Sequence, residues 1–287
     1  MAARSYAVRA LRSHPPALAG PRRRGLAGSR QVMRGTVIHV PGKPGDSAEF
    51  AYEMSRIDGL NQHPEDQAMV WTHGLTSSME SESQGAWPFG GVVDLVDVMP
   101  VIRYDARGHG QSREARDMTW KAMGSDINRL RRTWNLQRSV LAGTSMGTAA
   151  SLYAVLEKPD GISGLILATP PTCYAQRAKF IPAYRESASL ARSQGMKAAK
   201  EQSDTKARPP IFLTTQAGRD SYEIGWEAKF EMGAERYAAA LDGAVQSDLP
   251  PPEELARITV PTLILAWQSD VQHPVSSAKL LKQHIPP

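Results

Sequence analysis

One residue in this chain has a type and setting that could carry acyl-transfer chemistry, Ser145 in Gly143-Thr144-Ser145-Met146-Gly147. A serine hydroxyl is a poor nucleophile until a base takes its proton. The base needs a carboxylate to hold its tautomer, and a tetrahedral oxyanion needs N–H donors. The G-x-S-x-G spacing is that of a sharp strand-to-helix turn that lifts a serine clear of a sheet. Such a strained turn leaves no room for side chains two places before and after the serine, which accounts for Gly143 and Gly147. A helix opening near Met146 aims its first N–H groups at the place where negative charge would develop.

The elements that must position this serine can be read around it. Ser139–Ala142 is a short apolar run suited to a strand, and Ala149, Leu152, Tyr153 and Leu156 fall at helical spacing after it. Upstream, Thr36–Val40 and Glu49–Met54 read as strands joined by a Pro/Gly turn at Pro41–Gly45. Ala68–Thr72 and Met99–Tyr104 read as buried strands, with a helical pattern over Trp87–Val98 between them. Trp120, Met123, Ile127, Leu130 and Trp134 form the stripe of an amphipathic helix. Ile162–Ala168 and Thr262–Trp267 are further strands, followed by helices at Glu253–Ile258 (before the latter) and Val275–His284. Strands alternating with helices imply an α/β fold: a mostly parallel sheet flanked by helices, with its sites at the strands' C-terminal ends. Residues 171–252 break that rhythm. They are mostly helical in character, with a stripe at Trp226, Phe230, Tyr237 and Leu241, and read as an inserted lid.

Composition bounds the rest. The chain has 287 residues, 41% of them hydrophobic, enough to bury one large domain or a domain with an insertion. Its net charge of +5 comes from one segment: the first 34 residues hold eight arginines and no acid, leaving 26 basic against 29 acidic residues elsewhere. The remainder is therefore mildly acidic, and a nucleic-acid partner is not expected. Residues 1–34 read as a disordered leader, or as the result of a start placed upstream of Met33; an organellar transit peptide is the alternative. The single cysteine, Cys173, rules out an internal disulfide and suits a reducing, cytoplasmic setting. No apolar run has the length of a membrane span. No H-E-x-x-H, G-x-G-x-x-G or P-loop pattern is present, so neither metal nor cofactor is expected. The domain reading is 1–34 leader, 35–170 core, 171–252 lid and 253–287 the remainder of the core.

With four landmarks in order, the chain resembles the α/β-hydrolase family over Gly35 to Pro287. The landmarks are His73-Gly74, Asp105-Ala106-Arg107-Gly108-His109-Gly110-Gln111-Ser112, Gly143–Gly147, and Pro261–Asp270. The resemblance implies that Ser145 is the nucleophile, that the backbone amides of Leu75 and Met146 form the oxyanion hole, and that Asp270 orients a histidine. It implies hydrolysis of a small ester, lactone or related acyl substrate through an acyl-enzyme. A serine at position 145 argues against the dehalogenase and epoxide-hydrolase chemistry that the family performs with a carboxylate there. His73 is expected to hydrogen-bond the oxyanion loop rather than transfer protons. Arg103, Asp105 and Arg107 are expected to form local ion pairs. Asp270 has a plainer reading as a turn or helix-entry aspartate.

One part of the family pattern is missing. The family's histidine lies on a loop after one further strand, typically as Gly-His before an aromatic residue, and no such segment follows Asp270. Three readings compete: an incomplete C-terminus, which is preferred; His273 as a substitute base; or a non-catalytic, ligand-binding member of the fold. For His273 the plainer reading is a His-Pro pair that starts the next helix with Pro274 at its first position. His284 sits in helical context and is a poor candidate.

Overall fold

In a computed structural model, which describes residues 8–10, 30–37, 49–57, 67–86, 96, 98–112 and 116–287, the strands form one sheet in the order β1-β2-β3-β5-β4-β6-β7-β8. The strands are β1 (Val8–Ala10), β2 (Arg30–Val37), β3 (Phe50–Ile57), β4 (Gln67–Thr72), β5 (Val101–Tyr104), β6 (Arg138–Thr144), β7 (Ile162–Ala168) and β8 (Thr262–Leu265). The pairs from β1 to β5 are antiparallel, and β5, β4, β6, β7 and β8 run parallel. The chain leaves β4 for β5 on one side and then crosses to β6 on the other. That reversal opens a crevice at the C-terminal ends of β4 and β6, where open α/β sheets bind their ligands.

The start of the fold differs from the reading of the sequence. β2 begins at Arg30, five residues before Gly35, and pairs with β1. Both strands reach into the segment read as a leader; residues 11–29 lie outside the described residues, as do the Pro41–Gly45 turn and most of Trp87–Val98.

Alternation along the strands sorts side chains onto two faces. Ala68 and Val70 of β4 join the large core, and Met69 and Trp71 join a smaller cluster with Val101, Ala142 and Ala168. The large core is covered by α2 (Trp120–Thr133) and α3 (Met146–Glu157). The helical stripe holds: Trp120, Met123, Ile127 and Leu130 are all buried, while Trp134 is half-buried at the C-cap. Full burial of each aliphatic member contributes about 1.5–3 kcal/mol. Thr119 caps α2, its Oγ1 accepting from the Ala122 N–H at 3.3 Å.

Between β7 and β8 stand the insertion helices, among them α5 (Ile181–Asp204) and α7 (Gln216–Val245), which pack on one another. The predicted stripe on α7 is not continuous. Gly233 (φ 76°, ψ 163°) adopts a conformation that only glycine takes readily, so the helix breaks there. Trp226, Tyr237 and Leu241 are buried, whereas Phe230, next to the break, is 44% exposed. The insertion is tied down by Arg177, whose guanidinium lies 3.9 Å from the Trp120 ring centroid and donates to the carbonyls of Ala244 and Ser247. No described helix is long and apolar enough to cross a membrane.

Candidate active site

The turn at the end of β6 places Ser145 at φ 51°, ψ −111°, outside the regions an L-residue favours. What permits it is the absence of side chains around it. A Cβ on Gly147 would stand 2.1 Å from the Thr72 carbonyl oxygen, and one on Gly143 would meet Gly147 and Thr72 at 2.7–2.8 Å. Backbone rather than flexible side chain fills both spaces, so neither contact can be relieved cheaply. Gly147→Ala is expected to destabilise the fold by about 1–3 kcal/mol and to shift the turn; denaturant titration measures the first effect, and a crystal structure of the variant measures the second.

His273 and Asp270 lie against this turn. Ser145 Oγ is 2.8 Å from His273 Nε2, and His273 Nδ1 is 2.9 Å from Asp270 Oδ2. With the carboxylate beside Nδ1, the proton sits on that nitrogen and leaves Nε2 free to accept from the serine hydroxyl. The loop after β8 builds this line locally. Asp270 Oδ1 accepts the backbone N–H groups of Gln272 (2.9 Å) and His273 (3.1 Å), curling the chain so that carboxylate and imidazole face one another. Trp267 Nε1 donates to Oδ2 at 3.2 Å. Burial alone would raise the Asp270 carboxyl, but the His273 hydrogen bond and charge, with the Trp267 and Gln272 donors, bring it down to about 2. Its contribution to stability is therefore present above the ordinary carboxylate range and lost as pH falls towards about 2.

This arrangement departs from the plainer reading of His273 as a helix-starting residue alone. His273 does precede a helix, α9 (Val275–His284), but Pro274 is its N-cap rather than its first residue, and the imidazole turns back to Ser145 instead of away from it. A histidine within reach of the serine is thus present in the chain. His284 lies at the far end of α9.

Gly74 packs beside the serine turn, an added Cβ there lying 3.8 Å from Ser145 Cβ. The next residue, Leu75, lines the same cavity as Ser145, Asp270 and His273. Among the described residues neither the Leu75 nor the Met146 N–H donates to a backbone carbonyl outside regular helix or strand pairing. His73 stands behind this loop with both ring nitrogens occupied: Nδ1 donates to the Gly74 carbonyl (2.7 Å) and Nε2 accepts the Ala106 N–H (2.9 Å). Burial holds its pKa down at about 4, so it stays neutral and structural. The loop after β5 is braced likewise. Arg107 makes a buried two-pronged pair with Asp126 of α2 at 2.6 Å, and Arg103 pairs with Glu53 of β3 at 2.8 Å. Asp105 departs from the expected ion pairing: it accepts the N–H groups of Met79 and Gln111, and burial pushes its carboxyl up to about 6.

The cavity holds about 300 Å³ and runs from the serine up under the insertion. Of the insertion's aromatics, Tyr184, Trp226 and Tyr237 line it, and Phe230 does not. Four charged residues that no sequence motif singled out also line it: Glu82, Lys206, Arg208 and Lys229. Glu82 accepts the Trp71 indole N–H at 2.8 Å, and burial pushes its carboxyl up to about 7; Lys229 projects from α7. Their position follows from packing between elements far apart in sequence, which leaves no local signature.

Comparison with known proteins agrees with this architecture. The family model described as alpha/beta hydrolase fold matches residues 67–286. The chain belongs to the alpha/beta hydrolase fold family. Among individual proteins, it is similar to 3-oxoadipate enol-lactonase 2 of Acinetobacter baylyi, 26% identical over 64% of this chain and 67% of that protein. The enol-lactonase 1 of the same organism is 23% identical, and the match spans 66% of its length. An enol-lactonase from Burkholderia xenovorans superposes with a TM-score of 0.66 at 21% identity, covering 83% of this chain and 85% of that one. A thermophilic esterase from Thermogutta terrifontis gives 0.67 at 24% identity over 88% and 86%. At these identities the solved structures speak for the fold.

Proposed function

We propose that this chain is a serine hydrolase that cleaves a small ester or lactone through an acyl-enzyme. The single observation that carries the proposal is the hydrogen-bonded line Ser145–His273–Asp270 at 2.8 and 2.9 Å at the mouth of the sheet. In this reading His273 takes the Ser145 proton as the oxygen attacks the carbonyl, and Asp270 stabilises the imidazolium that forms. The amides of Leu75 and Met146 receive the oxyanion, each donor lowering the barrier by about 3 kcal/mol. His273 then returns the proton to the leaving oxygen, and a water repeats the sequence to release the acid. The insertion serves as a lid over the acyl pocket. Similarity to an enol-lactonase supports an ester or lactone as the bond cleaved.

A fluorophosphonate probe tests the reading directly. The expected result is stoichiometric labelling of Ser145, located by peptide mass spectrometry, together with turnover of short-chain aryl esters. Tight binding of acyl ligands with no labelling would instead identify a ligand-binding member of the fold.

A further inference from the structure

Lys229 stands out among the charged groups around the cavity. It lies on α7 ahead of the break at Gly233 and lines the same cavity as Ser145. Its ammonium donates one hydrogen bond, to the Gly225 carbonyl of its own helix at 2.8 Å, and sits 5.1 Å from the Trp226 ring centroid. Among the described residues no carboxylate lies within 4 Å of it. Several acids of the insertion helices are held by other cations. Asp204 pairs with Lys200 at 3.0 Å and Arg208 at 3.8 Å, Glu223 with Lys200 at 3.3 Å, and Glu186 with Lys206 at 3.8 Å. Lys229 is half-buried, and burial lowers its ammonium to about 8, since a charge partly withdrawn from water without an anion is costly.

The cavity is polarised as a consequence. Its acids, Asp270 and Glu82, stand at the sheet end, where His273 and Trp71 engage them. Its cations, Lys229, Lys206 and Arg208, come from the insertion. Only Lys229 of these three has no acidic partner within the described residues. Two of its three N–H groups remain for a ligand.

We propose that the substrate carries a free carboxylate, and that Lys229 binds it at the helical end of the cavity while the ester or lactone carbonyl lies against Ser145. The inference rests on the hydrolase reading above and adds the chemical class of the acyl group. Apolar contacts with Trp226 and Tyr237 then accommodate the chain between the two ends.

The test compares ethyl half-esters of the linear dicarboxylic acids from succinic to suberic with ethyl esters of the length-matched monocarboxylic acids, following acid release by chromatography. The wild-type chain is expected to favour its best half-ester over the neutral counterpart by about 30-fold or more in kcat/KM, the scale of one desolvated charge pair. Lys229→Met is expected to remove most of that ratio, and Lys229→Arg to restore part of it. Because each protein is compared with itself on two substrates, loss of folded material does not move the ratio; Lys229→Gln serves if the methionine variant does not fold. Equal or better turnover of the neutral ester by the wild type, or a ratio unchanged in Lys229→Met, overturns the carboxylate assignment and leaves the hydrolase intact. No turnover of either ester and no fluorophosphonate labelling of Ser145 removes the hydrolase reading and this assignment together.

Discussion

Replacing His273 with alanine is expected to lower kcat on a short-chain aryl ester by about 10⁴- to 10⁶-fold, as far as replacing Ser145 does. The two residues act as one unit, since an unactivated hydroxyl and a base with nothing to deprotonate are equally idle. The double variant, Ser145→Ala with His273→Ala, is therefore expected to be no slower than either single one. Steady-state kinetics with each variant, together with circular dichroism to confirm folding, check this. The result carries particular weight because His273 lies only three residues from Asp270, on the same loop, with its ring 2.8 Å from the serine. Activity surviving in His273→Ala would assign the base elsewhere. The buried imidazole of His73 is a poor alternative, with both its nitrogens already engaged.

Asp270→Asn is expected to lower kcat by about 10⁴-fold while leaving KM nearly unchanged. The amide keeps the shape of the side chain but forfeits the charge that steadies an imidazolium, and its NH₂ can force the wrong tautomer on His273. A carboxylate held at about 2 is ionised at every pH where such assays run, so lowering the pH of the wild type does not imitate the variant. The same substitution loosens the loop less than alanine would, because an amide oxygen can still accept the Gln272 and His273 N–H groups. Comparing Asp270→Asn with Asp270→Ala thus separates the loss of charge, read in kcat, from the loss of the turn, read in thermal stability. Equal kcat in the wild type and Asp270→Asn would take the carboxylate out of the mechanism.

Much of the scaffold was legible because its determinants are local. Short apolar runs marked β4, β6 and β7, most of whose residues are buried, and a period-3.6 stripe marked α2. On α7 the stripe held at Trp226, Tyr237 and Leu241 on both sides of the break at Gly233 and failed at Phe230, three residues before it. The ion-pair expectation failed in part. Arg103 and Arg107 found partners 50 and 19 residues away, on β3 and α2, while Asp105 turned to backbone donors.

The sequence by itself determined the serine and its turn. No other residues than glycine fit beside a serine held at φ 51°, and the strand before it and helix after it are written in hydrophobic spacing. It also determined that an acid would follow the last strand at Asp270. What only the tertiary structure decided was which imidazole stands beside the serine. A His-Pro pair at a helix entry reads the same whether its ring faces solvent or a serine 128 residues away. The choice is made by the parallel pairing of β6, β7 and β8, which brings the loops after β6 and β8 to one end of the sheet, and by the Asp270 turn that folds the imidazole back. The polarity of the cavity was decided in the same way, because the side chains that set it converge from the sheet and the insertion only once those two layers have packed.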